Sequence, residues 1–399
     1  MKTHRILILF LGIVVAGVLL AFSTWHQWNA NQGTILERMR PIPPIAEFSH
    51  GTWIRDIAFS PKHPDLVASV GEHSIIKVWN RNNTDSPELT LTNHPTNESG
   101  TSGISYITFT QTGEWLVSKD FWMVAIWDAS SGERINTLET PSSTGVVSPM
   151  NDYLAAGTRD VKLWDISNPN KISELFILPA KMGEQSISHE EVNIKSSNHN
   201  SWVKHHNATV NQSFKTIDFS HDGKWIAAGG EIYDKSLEKW SSKLKIWDLQ
   251  NQQLFRIIER DDPKNLEPKR KGKKVPSFTL PPSNDIRSIK FSPDNRFFGL
   301  AADNGLTIWT LPEWKIYHEV QDQRISDIAF SPDGTMFAIT DIKGITLWSV
   351  ETLTPIVLLQ KVGLIGSSVI EFSPDGSILA GGGFGGVLQL WDLRKLNEK

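Results

Sequence analysis

Residues 325–349 read ISDIAFSPDGTMFAITDIKGITLWS, and this stretch decides the fold. Ser331-Pro332-Asp333-Gly334 is a β-turn: proline presets φ at its second position and glycine closes it. The flanking segments, from Ile325 to Ser331 and from Met336 to Thr340, are short, apolar and rich in β-formers. A third strand, Ile345 to Trp348, follows a tight turn at Lys343-Gly344. One unit of three such strands cannot bury its own faces, but several in series can, by stacking.

Working outward, the same pattern recurs from residue 44 to the end of the chain. Its copies close on Trp79, Trp127, Trp164, Trp247, Trp309, Trp348 and Trp391. The turn returns as Ser373-Pro374-Asp375-Gly376 and, varied, as Ser292-Pro293-Asp294-Asn295. Sixteen tryptophans and 28 glycines among 399 residues fit a repeated unit of this kind. A 39% hydrophobic composition supplies a large core and excludes a disordered chain.

These motifs resemble the WD-repeat β-propeller family. The resemblance rests on the F-S-P-D-G turn and on the pairs Trp127-Asp128, Trp164-Asp165, Trp247-Asp248 and Trp391-Asp392, and it spans about residues 44–393. It implies an all-β fold, a seven-bladed β-propeller of four-stranded antiparallel blades. Segments 87–92, 133–139, 172–178, 252–259, 314–320 and 355–360 then supply six outer strands. The seventh copy ends at Asp392, so residues 44–49 are expected to supply its outer strand and tie the ring shut, removing free edges. The family's structural tetrad of Asp, His, Ser/Thr and Trp is expected to be poorly kept. Trp79 has Ser69 and His50 at suitable positions but His73 where Asp is usual, and Asp303 beside Trp309 has no histidine before its strand. That departure resembles divergent bacterial members.

The N-terminus poses a separate physical problem. Residues 6–22, ILILFLGIVVAGVLLAF, carry no charge and follow Lys2, His4 and Arg5. As one hydrophobic helix they span about 25 Å, slightly short of a hydrocarbon core of about 30 Å. Two readings stand. Residues 1–22 are a signal-anchor or transmembrane helix with Trp25 and Trp28 at the headgroups, or they are a signal peptide cleaved near Ala21-Phe22-Ser23. In both, the following residues lie on the translocated, periplasmic or extracytoplasmic side, membrane-held in the first and secreted in the second. Residues 23–43 read as a linker and residues 44–399 as the propeller domain.

Several chemistries are excluded. A net charge of −4 argues against nucleic acid as partner. With no cysteine there are no disulfides, thiolate metal sites or cysteine nucleophiles. No G-x-S-x-G, H-E-x-x-H, Walker or Rossmann pattern occurs, so no catalytic, cofactor-binding or metal residue is assigned and no cofactor is expected. His189, His199, His205 and His206 fit no structural zinc spacing and read as a solvated loop, as does the basic run Lys269, Arg270, Lys271, Lys273 and Lys274. The sequons at Asn82, Asn97, Asn207 and Asn211 read as chance. Gly381 to Gly386 read as a hairpin connection rather than a phosphate loop.

What remains is a non-catalytic, membrane-anchored scaffold for protein partners. The alternatives are a secreted or periplasmic propeller enzyme of hydrolase or lactonase type and a ligand sensor. Propeller enzymes gather carboxylates or histidines around the central channel. The inner-strand starts here give Trp53, Asp285 and Arg324, and no carboxylate cluster is expected. In the family, outer-to-inner connections and the hairpin turns before the Trp strand share one face. Insertions 93–103, 180–211, 231–242 and 260–284 all fall there. Long loops on a rigid ring carry binding. The expected partner-binding face therefore comprises Trp53, Phe121, Trp122, Arg159, Trp202, Trp240, Arg324 and Phe384, with the partner near blades three to five.

Overall fold

A computed structural model describes residues 41–398 apart from 84, 93, 96–102, 143, 151, 158–159, 179–186, 189–209, 235–238, 262–284, 322 and 360–368. Its strands form seven antiparallel sheets. Within each sheet, strands a to d run outward from the channel.

Blade 6 shows how the sequence writes one sheet. Its strands are Ile325–Phe330, Met336–Asp341, Gly344–Ser349 and Pro355–Leu359. Within the first turn the Ser331 hydroxyl donates to Asp333 at 2.6 Å and accepts the Met336 N–H at 2.9 Å, while Gly334 takes φ +67°. The same pattern closes the first turn of blade 7, where Ser373 donates to Asp375 and Gly376 takes φ +70°. In blade 5, Asn295 occupies the glycine position at φ +57°, a left-handed conformation that asparagine tolerates.

Blades 1 to 5 begin with strands Ile54–Phe59, Tyr106–Phe109, Gly145–Val147, Val210–Phe219 and Ile286–Phe291, and blade 7 with Val369–Phe372. Seven buried clusters lie one at each junction between successive blades. The repeat tryptophans sit inside them: Trp247 and Trp391 are 1% exposed. Dispersion and apolar burial at these junctions hold the ring together.

Two blades depart from the regular pattern. Blade 3 gains a fifth strand, Ile187–Ser188, paired with Phe176 and Ile177. In blade 4 all four strands are nine or ten residues long. The segment 231–242, expected to be an expanded hairpin turn, is largely ladder: Glu231 pairs with Ser242 and Tyr233 with Trp240. The sequence there, EIYDKSLEKWSS, lacks the period-2 apolar alternation that marks a strand.

Blade 7 takes its outer strand from the other end of the chain. Ala46–Ser49 pairs antiparallel with Val387–Asp392, Ala46 opposite Leu390 and Ser49 opposite Val387. Phe48, 1% exposed, packs into the junction with blade 1, its ring 5.2 Å from Trp79. The approach to this strand is itself held. Ile42 N–H donates to Leu358 O of blade 6 at 3.1 Å, and Trp391 Nε1–H donates to Ile42 O at 3.1 Å. Residues 42–49 thus staple blades 6, 7 and 1.

Among the described residues no helix is long and apolar enough to cross a membrane. The hydrophobic helix expected at 6–22 and the linker to residue 40 lie outside them.

Candidate functional site

Antiparallel connectivity puts the b–c turns and the d-to-a connections at one end of the blades, here the upper face. The a–b turns and c–d connections lie on the lower face. Three b–c turns carry an exposed apolar residue at the tip: Phe121 in blade 2, Ile342 in blade 6 and Phe384 in blade 7, at 40%, 71% and 50% exposure. Phe384 stacks on Trp53, which enters from the connection into blade 1, at 4.2 Å and 10° between ring planes. The Arg55 guanidinium lies 5.2 Å from the Trp53 ring and pairs with Glu72. Phe121 packs edge-on against Trp122 at 5.0 Å.

Blade 2 fixes its tip firmly. Asp120 Oδ1 accepts the N–H groups of Trp122 and Met123, each at 2.7 Å. Lys119, fully buried, donates through Nζ to the carbonyls of Asp120, Thr140 and Ser142. Burial depresses the Lys119 amine to about 7. Beside it stand His94, 4.0 Å from Asp120, and Ser118, which accepts from Trp127 Nε1–H at 2.8 Å. Asp120, His94, Ser118 and Trp127 thus bring all four tetrad residue types together, which corrects the expectation of a poorly kept set for this blade, although His94 Nδ1 bonds the Pro95 carbonyl at 3.0 Å rather than Asp120. The histidine sits 24 positions before Ser118, across a variable connection that hides it from a local reading. Blade 1 keeps the shorter set expected for it, with Ser69 bonded to both His50 and Trp79 at 2.9 Å.

Arg324 is not a free side chain. It forms an ion pair with Asp303 at 3.0 Å, and Asp303 also takes both prongs of Arg287 at 2.8 Å. Arg287 reaches Asp285, which Lys215 contacts at 2.6 Å while also pairing with Glu231. This ladder of alternating charge runs from blade 4 to blade 6 along the upper rim. Trp240 lies on strand c of blade 4, and Arg159 and Trp202 fall outside the described residues. Ile342 went unread in the sequence. Its signal was an aliphatic residue directly after the Asp of a b–c turn, the position Phe121 holds in blade 2.

The channel overturns a second expectation. Asp56, Asp218, Asp327 and Glu371, each from a different inner strand, gather around Lys290. Burial opposes charge on Lys290, but the four carboxylates outweigh it and raise its pKa, Glu371 most strongly, with its carboxylate 3.8 Å from Nζ. Burial in turn pushes Asp56 and Glu371 up to about 7 and Asp218 to about 6. Three of these carboxylates also clasp neighbouring blades. Asp56 accepts Ile107 N–H at 2.8 Å, Asp218 accepts Phe291 N–H at 2.7 Å and Asp327 accepts Ile370 N–H at 2.9 Å. Even the two members nearest in sequence, Lys290 and Asp327, are 37 positions apart, so no local motif announces the cluster. Among the described residues no group of three His, Asp or Glu side chains is arranged to hold a metal ion.

Three stretches of the chain, 43–80, 197–248 and 365–392, match the family model described as WD domain, G-beta repeat. No curated protein matches the chain. Among solved structures it is similar to the β-propeller domain of Cps50 (Swd1) from Myceliophteria thermophila. Identity is 18% and the TM-score 0.59, over 89% of this chain and 99% of that one. At that identity the likeness is one of fold.

Proposed function

We propose that this propeller is a non-catalytic interaction scaffold that docks a protein partner on its upper face. The observation that carries this reading is the set of exposed apolar tips, Phe121, Ile342 and Phe384, on rigid hairpins of one face. Aromatic anchors on a preorganised surface are where binding energy concentrates, about 2 kcal/mol or more for each well-packed one. The WD-repeat matches agree, because that resemblance implies protein binding. On this reading the partner also meets the insertions of blades three to five, Trp202 among them. The departure from a full tetrad in most blades fits a divergent, bacterial-type member.

The scaffold is membrane-held on this reading. Residues 6–22 anchor it and residues 23–43 tether it, with the propeller on the translocated side. Strand Ala46–Ser49 runs from the Leu390 end of blade 7 toward its upper end at Val387, so on this reading the tether approaches from below and the upper face would point away from the bilayer. Protease added outside intact cells or spheroplasts is expected to cut the propeller loops. N-terminal sequencing of the mature chain separates anchor from cleaved signal: a start at Met1 supports the anchor, a start near Thr24 overturns it.

The channel carboxylates held near neutrality favour the enzyme alternative. Their backbone clasps favour a structural role instead. A panel of ester and lactone substrates assayed on the full chain and on Glu371→Gln decides this. Turnover that falls with the substitution would overturn the scaffold reading.

A further inference from the structure

The lower face is broken between blades 1 and 2 by a cleft of about 760 Å³. Its origin is local. Strand d of blade 1 has only three residues, Leu89–Leu91, where other blades have four to nine. The a–b turn of blade 1 is also one residue longer than that of blade 6, closing from Ser60 to Leu66 rather than from Ser331 to Met336. A short outer strand beside a long turn leaves Leu66, Leu89 and Phe109 as an apolar floor, with Trp115 along one side. The walls are fixed. Gly113 lets the blade 2 turn press on Lys62, whose Cβ would lie 2.6 Å from any Cβ at 113.

The rim is acidic. Asp65, Glu88, Glu114 and Asp128 line the cleft against one lysine, Lys62. Arg81 neutralises Asp65. Among the described residues the other three carboxylates form no ion pair. Glu88 accepts the Asn80 amide at 2.6 Å, and Asp128 is held down at about 2 by the Ser130 hydroxyl and Ser131 N–H. Glu114 is exposed and makes no side-chain hydrogen bond or ion pair among the described residues. An apolar floor ringed by unneutralised carboxylates selects a ligand with the inverse pattern. The volume lies in the range of small-ligand sites and admits a few side chains rather than a folded domain.

We propose that this cleft docks a basic peptide segment, one large apolar side chain seated on the Leu66–Leu89–Phe109 floor and flanking Lys or Arg side chains paired with Glu88, Glu114 and Asp128. The site is independent of the upper-face reading and lies on the opposite side of the ring, so the scaffold holds two ligands at once.

The test is fluorescence anisotropy with the full-length protein and a fluorescein-labelled Lys-Arg-Phe-Leu-Lys-Arg peptide, beside its charge-reversed Glu-Asp-Phe-Leu-Glu-Asp counterpart. Saturable binding of the basic peptide only is expected, weakening as salt rises. Glu114→Lys should raise Kd about tenfold and Lys62→Glu should lower it about threefold, with melting temperatures unchanged. Glu351→Lys, an exposed carboxylate of blade 6, should leave Kd alone. Equal binding of both peptides, no saturation in the millimolar range, or a Kd indifferent to Glu114→Lys overturns the proposal. So does sedimentation as a dimer that Glu114→Lys dissociates, which would make a second copy the occupant.

Discussion

Replacing Lys290 by methionine probes the centre of the ring. The side chain stays unbranched and only one atom shorter, so little packing is lost, but four carboxylates lose their shared counter-ion. At 3.8 Å and an effective dielectric of about 20, the Glu371–Lys290 attraction alone is about 4 kcal/mol. The Lys290 side chain is 38% exposed, so screening reduces that to about 2 kcal/mol. Asp56, Asp218 and Asp327 bring the expected loss to about 3 kcal/mol at pH 8. The sign of its pH dependence follows from the carboxylates. Asp56, Asp218 and Glu371 have folded pKa values above their unfolded ones, so the folded state keeps protons that the unfolded state gives up. Their contribution to stability is therefore lost as pH rises from about 4 through 6 to 7. Without Lys290 that loss steepens, and protonation at pH 5 relieves the repulsion. Buried His50, His94 and His318, whose pKa values burial lowers, act oppositely in both proteins and cancel in the difference between variant and parent, whereas His221, lowered by burial and by Lys290, is relieved in the variant and shrinks the difference further at pH 5. Urea unfolding of the parent and Lys290→Met at pH 5 and 8 should give a difference of about 3 kcal/mol at pH 8 that halves at pH 5. A difference below about 0.5 kcal/mol, or one that does not change with pH, would refute the reasoning.

Phe48→Ala should destabilise the whole ring by about 3–5 kcal/mol, because Phe48 fills the junction between blades 7 and 1; a melting temperature within a degree of the parent would show that closure is not limiting. Ser118→Ala removes the acceptor of Trp127 Nε1–H inside a buried tetrad and should lower stability by about 1–3 kcal/mol by chemical denaturation. Ser60→Ala lacks such a network, losing only a bond to His63 N–H, and should lie within about 1 kcal/mol of the parent in the same assay.

The blade pattern is legible in the sequence because each blade is built locally. A Ser-Pro-Asp-Gly turn fixes its own hydrogen bonds within five residues, and a terminal tryptophan marks strand c in every copy. Features made by the ring are not legible in this way. Lys290 reads as one charge in IRSIKF, and only circular closure sets it among carboxylates at 56, 218, 327 and 371. The blade 2 tetrad is hidden because His94 precedes its serine across a connection of variable length. The polar stretch 231–242 misleads for another reason: without an apolar face it carries no period-2 signal strong enough to mark a strand. The lower cleft escapes because it comes from what blade 1 lacks, the length of its outer strand.

The central claim, a partner held by the upper-face tips, is tested most directly by crosslinking capture of the full-length protein from its native cells. The parent is compared with a triple variant, Phe121→Ser, Ile342→Ser and Phe384→Ser, all three sites being exposed hairpin tips. The account predicts that the triple variant folds with parental stability and loses the crosslinked partner. Undiminished capture by the triple variant would contradict it.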